Sequence, residues 1–117
     1  MPKSVLIVDD HPSFRATAHA LLEAEGFSVV GEAADGAEAI AMTRELCPDI
    51  VLLDVQLPDL DGFEVARLLC ANGESPTVVL VSSRDAADYG ELVGGCGARA
   101  FIPKGDLTGS MLRSVLA

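Results

Sequence analysis

Five short apolar runs, separated by segments with helical spacing, leave this 117-residue chain very few folds to choose from. The runs are Val5-Leu6-Ile7-Val8, Val29-Val30, Ile50-Val51-Leu52-Leu53, Val78-Val79-Leu80-Val81 and Ala100-Phe101-Ile102. Most are β-branched and continuous rather than alternating, the pattern of parallel strands covered on both faces. Between the first two runs, Phe14, Ala18, Leu21 and Leu22 follow helical spacing, with Pro12 suited to the first turn and Gly26 to the exit. Asp35 is the expected N-cap of a second helix that runs through Ile40 to Leu46 and stops before Pro48. A third helix is expected from about Asp61 to Ala71 with Val65, Leu68 and Leu69 inward. The last is short, capped by Thr108, with Leu112, Val115 and Leu116 as its apolar stripe. The fourth helical segment carries Gly90, Gly94, Gly95 and Gly97, and each Gly inside a helix costs about 1 kcal/mol relative to Ala. It should be short or frayed, either as plain termination at Gly94-Gly95 or as a mobile element near a switch. Strand–helix alternation repeated five times implies an α/β, doubly wound (βα)5 fold with a five-stranded parallel sheet and right-handed crossovers. Residues 1–117 read as one domain, without repeats or linkers.

Charge and composition narrow the function. Eight Lys and Arg stand against 18 Asp and Glu, a net charge of −10 with no basic run, which excludes a grip on a nucleic-acid backbone. Half the residues are apolar, enough for a proper core. Cys47, Cys70 and Cys96 form no CxxC pair, and neither His11 nor His19 is near a cysteine, so no zinc spacing exists. They read as reduced, half-buried thiols. The apolar stretch after Met1-Pro2-Lys3-Ser4 is too short for a signal peptide, and no run of membrane-spanning length occurs, so a cytoplasmic protein without membrane contact is expected.

Chemistry gathers where the apolar runs end. Ligands of open parallel sheets bind outside the carboxyl ends of the strands. Asp9 and Asp10 follow the first run, Asp54 the third, Ser82-Ser83 the fourth and Lys104 the fifth. Two carboxylates about 4 Å apart repel by roughly 4 kcal/mol at an effective dielectric near 20. Three such groups call for a cation, and hard oxygen ligands suit Mg²⁺. An Asp nucleophile beside Mg²⁺, a hydroxyl and a Lys is a phosphoryl-acceptor arrangement. A single strand-end Asp would read as a helix cap; the five groups in order do not.

The segments VLIVDDHPSFR, DIVLLDVQLPDLDG, VVLVSS and GARAFIPKGDL resemble the receiver domain of two-component response regulators over essentially the whole chain. They are closest to the NarL/FixJ-like helix-turn-helix subfamily. The spacing is the specific part: 44 residues from Asp10 to Asp54, 28 to Ser82 and 22 to Lys104. The resemblance implies the flavodoxin-like strand order 2-1-3-4-5 and Asp54 as phospho-acceptor. It implies Mg²⁺ held by Asp9, Asp10, Asp54 and the backbone carbonyl of Gln56. Ser82 would turn toward the phosphoryl group, Lys104 would bind a phosphoryl oxygen, and Phe101 stands at the aromatic switch position. The partners implied are a sensor histidine kinase and a downstream protein or DNA-binding output domain. The chain itself would bind no nucleic acid and would form a homodimer, if at all, on phosphorylation. With the chain ending just past Leu116, no output domain is expected in it.

Two departures stand out. Pro103 precedes Lys104 and Gly105 follows it, so a cis bond at that point would be the non-prolyl Lys104-Gly105 bond, at a cost of about 3 kcal/mol. Phe101 lacks a phenolic hydroxyl and can pack but not hydrogen-bond. Gln56 and Arg84, two residues after Asp54 and Ser82, are expected to tune the lifetime of the acyl phosphate. His11 reads as a ligand or base beside the acidic pair, or, as preferred here, as the plain residue before Pro12 at a helix start; His19 is given no role. The expected function is a phosphorylation switch that is regulatory rather than enzymatic. One alternative is a receiver that binds partners without phosphorylation. Another is a haloacid-dehalogenase-like phosphatase, which would need a second Asp where Gln56 stands.

Overall fold

The computed structural model describes residues 2–71, 76–84 and 86–116. Strands β1 (Ser4–Val8), β2 (Ser28–Ala33), β3 (Ile50–Asp54), β4 (Thr77–Ser82) and β5 (Ala100–Pro103) form one parallel sheet in the order β2-β1-β3-β4-β5. Helices α1 (Pro12–Ala24), α2 (Gly36–Leu46), α3 (Gly62–Leu69), α4 (Leu92–Gly95) and α5 (Gly109–Leu116) make the connections and the final cover. The strand order reverses between β1 and β3, so their carboxyl ends open the crevice where open α/β sheets bind ligands.

Successive strand residues point to opposite faces, and here both faces are apolar, which is why the runs read as continuous. Leu6, Val8, Val51, Leu53, Val78 and Leu80 pack on one face against Ala39, Phe63, Val65, Ala66 and Leu69 of α2 and α3. Val5, Ile7, Ile50, Leu52, Val79, Val81 and Ile102 pack on the other against Ala18, Leu22, Leu112 and Leu116 of α1 and α5. Every residue of β3 is buried, whereas β2 at the sheet edge alternates and leaves Val30 exposed.

Local chemistry sets the ends of the elements. Asp35 accepts a hydrogen bond from Glu38 N at 2.8 Å and Asp61 accepts one from Glu64 N at 3.0 Å, each capping its helix. Thr108 Oγ1 accepts from Met111 N at 3.1 Å at the start of α5. Cys47 ends α2 in the left-handed conformation (φ 46°), directly before Pro48. Asp59, in the loop after β3, accepts from Gly36 N at 2.7 Å and Ala37 N at 3.0 Å at the start of α2. Those two N–H groups hold its carboxyl below the usual range.

Three expectations need correction. The third helix ends at Leu69 rather than Ala71, and Leu68 is 53% exposed instead of inward. The buried stripe is Gly62, Val65, Ala66 and Leu69, and Leu68 lies about 100° of helical rotation before Leu69, off that stripe. The cysteines lie at three depths, with Cys47 exposed, Cys70 half-buried and Cys96 buried, and all three are free. The glycine-rich segment forms a 3-10 turn (Ala86–Asp88) and the single turn of α4, short as the glycine cost required. No described peptide bond is cis, Lys104-Gly105 included. No described helix is long and apolar enough to cross a membrane.

Candidate functional site

The strand ends bring the predicted acidic residues together. Asp9, just past β1, is fully buried, and Asp54 at the end of β3 is 2% exposed, while Asp10 is exposed. One ligand atom from each of Asp9, Asp10, His11 and Asp54 falls within a common 4.8 Å. A glycine is required beside this cluster. A Cβ on Gly62 would meet the Asp54 carbonyl oxygen and lie 2.6 Å from Val55 Cα, so α3 starts against the end of β3. Gly62 N also donates to Val55 O at 2.7 Å, pinning the end of β3 to the helix.

Lys104 reaches this cluster from the turn after β5. Its Nζ lies 2.7 Å from Asp9 Oδ2 and 3.5 Å from Asp54 Oδ2, and 4.5 Å from the centre of the Phe14 ring. Asp9 Oδ1 accepts from His11 N at 2.8 Å, and His11 Nδ1 lies 3.0 Å from it and 3.1 Å from Asp10 Oδ1. His11 therefore stands at the helix start, as preferred, and its ring also joins the acidic group. The Asp9 carbonyl accepts from Arg15 Nη1 at 2.6 Å, and Arg15 Nε is paired in turn with Glu32. His19 sits 3.1 Å from the same Glu32, away from the cluster.

Burial dominates the electrostatics of Asp54. Removal from water, then the neighbouring Asp9 charge, push its carboxyl up to about 6 from an ordinary 3.8, against the opposing pull of Lys104 and of Gln56 N–H. Gln56 N donates to Asp54 Oδ1 at 3.3 Å. Asp9 Oδ2 is buried and, although close to Lys104, makes no aligned hydrogen bond among the described residues. The contact is a close ion pair that leaves a lone pair of a buried carboxylate unfilled. Three carboxylates with one partial counter-charge and an unfilled buried oxygen fit a hard divalent cation.

Ser82 ends β4 fully buried. Its Oγ lies 2.7 Å from Tyr89 OH and accepts from Arg84 N at 3.1 Å; among the described residues it makes no hydrogen bond to Asp54. Phe101 is half-buried on β5, its ring 5.8 Å from that of Tyr89, which meets Phe63 edge-on at 5.2 Å. Tyr89 and Arg15 escape a reading of the sequence. Arg15 gives no signal there. Tyr89 has one weak signal, as the chain's only tyrosine, seven residues past Ser82 in a segment poor in other hydroxyls.

A family model described as the response regulator receiver domain matches residues 5–115. The chain belongs to this family. The receiver domain is 36% identical over 104 residues to the virulence-factor transcription regulator BvgA of Bordetella pertussis, covering 89% of this chain and 50% of that protein. In structure it is similar to the signal receiver domain of NarL from Mycobacterium tuberculosis, with a TM-score of 0.88, 33% identity, and coverage of 98% and 94% of the two chains. It is likewise similar to a chain of the CheX-CheY-BeF3-Mg²⁺ complex from Borrelia burgdorferi, with a TM-score of 0.87, 29% identity, and coverage of 99% and 87%. This receiver domain spans about half the length of the curated relatives it first matches.

Proposed function

We propose that this receiver domain is a phosphorylation switch in which Asp54 accepts a phosphoryl group from a sensor histidine kinase or a small phosphodonor. The observation that carries the reading is the buried Asp54 carboxylate, flanked by Asp9, Asp10 and Lys104 at the switch point of the sheet. An Asp54 oxygen attacks phosphorus and forms the acyl-phosphate bond. The bond from phosphorus to the donor breaks, and the donor's imidazole nitrogen or acetate oxygen leaves with the electron pair. At neutral pH a carboxyl titrating near 6 is mostly ionised and ready to attack. Lys104, already 3.5 Å from Asp54, pairs with the incoming phosphoryl oxygens. Asp9, Asp10 and Asp54, with the Gln56 carbonyl, would hold Mg²⁺, which supplies positive charge to the phosphoryl group. The domain regulates rather than turns over a substrate. Its output passes through the face of α4, β5 and α5 to a downstream protein, a second copy or a DNA-binding domain.

The deciding experiment is the intact mass after incubation with acetyl phosphate and Mg²⁺. One phosphoryl group should add, and the adduct should vanish in Asp54→Asn and without Mg²⁺. An adduct that survives Asp54→Asn would sink the assignment. Beryllofluoride, which accompanies Mg²⁺ in the CheX-CheY complex, then separates a short-lived acyl phosphate from a domain that never accepts one. Mg²⁺ alone should raise the melting temperature by relieving carboxylate repulsion. An unchanged melting curve at millimolar Mg²⁺ would count against the metal site.

A further inference from the structure

We propose that Tyr89 supplies the hydroxyl that Phe101 lacks and couples Ser82 to the surface: phosphorylation of Asp54 draws Ser82 Oγ away from Tyr89 and frees the phenol ring. The inference rests on Asp54 as the phospho-acceptor. Ser82 is fully buried and, among the described residues, its Oγ holds two partners, Tyr89 OH at 2.7 Å and Arg84 N at 3.1 Å. A serine hydroxyl has one proton to donate and two lone pairs. Whichever oxygen donates in the Ser82–Tyr89 pair, the bond is already at the ordinary O–H···O distance, and such bonds fade past about 3 Å. Ser82 therefore cannot turn to another staggered rotamer and reach a group on Asp54 while keeping Tyr89.

What Tyr89 does when released follows from its surroundings. Its ring sits between Phe63 and Phe101, so three aromatic rings connect α3, the segment before α4, and β5. It also lines a surface cleft of about 480 Å³ together with Leu57, Pro58 and Leu60 of the loop after Asp54 and the exposed Leu92 of α4. Phe101 can follow only by packing, because it has no oxygen. Tyr89 is the residue of the trio with a polar tip, and that tip is tied to the strand-end hydroxyl. It is a positioning residue: it sets where Ser82 rests before the reaction and carries the change to the cleft afterwards.

The chain contains one tyrosine and no tryptophan, so its tyrosine emission reports Tyr89 alone. Beryllofluoride with Mg²⁺ is titrated into the wild type, Tyr89→Phe, Ser82→Ala and the double variant, with binding followed by fluorine NMR. The wild-type emission should change and saturate together with binding. Ser82→Ala should shift the emission before any beryllofluoride is added and leave little further change. Tyr89→Phe should bind about fivefold tighter, the worth of one neutral hydrogen bond that no longer has to break, and should have no effect in the Ser82→Ala background. Bound beryllofluoride with unchanged tyrosine emission, or equal or weaker binding by a folded Tyr89→Phe, overturns the coupling while leaving Asp54 as acceptor. No binding by the wild type, or equal binding by Asp54→Asn, overturns the acceptor reading and the coupling with it.

Discussion

Replacing Lys104 by Met should destabilise the domain by about 3–5 kcal/mol at neutral pH and low Mg²⁺, because it strands buried carboxylates without a partner. The Lys104 side chain is 18% exposed, and Asp9, 2.7 Å away, is not exposed at all. Met keeps the length of the stem and can still lie on Phe14, so the loss is one of charge rather than of volume. The charge origin gives the effect a signature. Without Lys104 the site keeps both influences that raise the Asp54 carboxyl and loses the main one that lowers it. The variant should therefore recover stability as that group takes up a proton on acidification. Millimolar Mg²⁺ should restore part of the loss at neutral pH. Urea unfolding at about pH 5 and about pH 7.5, with and without Mg²⁺, tests this. A loss that is the same under all four conditions would mean that packing, not charge, is what Lys104 provides.

Asp54→Asn should act in the opposite direction and stabilise the Mg²⁺-free domain at neutral pH by on the order of 2 kcal/mol, since a tenfold difference in proton affinity is worth about 1.4 kcal/mol and solvent screening reduces the full worth of the shift. The carboxyl titrates near 6 in the folded protein against 3.8 when unfolded. Between those values the native state holds a proton that the unfolded chain has released. The contribution of Asp54 to stability is therefore greatest below about pH 4 and is lost as pH rises through about 6. The amide of Asn never ionises, so the difference between variant and wild type should be near zero at the acidic end and level off above about pH 7. Mg²⁺ should narrow the gap by stabilising the wild type more than the variant, which keeps Asp9 and Asp10 but loses one carboxylate ligand. A variant less stable than wild type at neutral pH would show that the Lys104 and Gln56 contacts outweigh the burial of the charge.

Parallel strands covered on both faces write themselves into sequence as unbroken β-branched runs, which is why the sheet is legible and why β2, at the edge with an apolar run of only Val29-Val30, is the faintest. The strand-end chemistry is legible for a related reason. In a doubly wound sheet the residue after each run lands on one rim, so Asp9, Asp10, Asp54, Ser82 and Lys104 can be placed near each other without coordinates. The inward set of α3 is only partly legible. Val65, Leu68 and Leu69 are all apolar, and the packing of α3 around Gly62, Ala66 and Leu69 decides which of them faces out. Tyr89 and Arg15 act through contacts between different elements, Tyr89 with Ser82, Phe63 and Phe101, and Arg15 with the Asp9 carbonyl and Glu32. No periodicity encodes such pairs. His11 reads in sequence as a helix-start residue, and the proximity of its ring to two carboxylates depends on a backbone turn that composition does not report.

The two halves of the core are unequal in what they touch. Phe63, Tyr89 and Phe101 all belong to the layer beneath α2 and α3, whereas Ile102, the neighbour of Phe101 in sequence, points into the layer beneath α1 and α5. That second layer meets the strand-end cluster through Phe14 against Lys104, at the near end of α1. At its far end Arg113 of α5 pairs with Glu25 just past α1. The exposed Ala24 at the end of α1 is thus where a label or a solubilising change can be added with least disturbance to the aromatic trio and to the face of α4, β5 and α5.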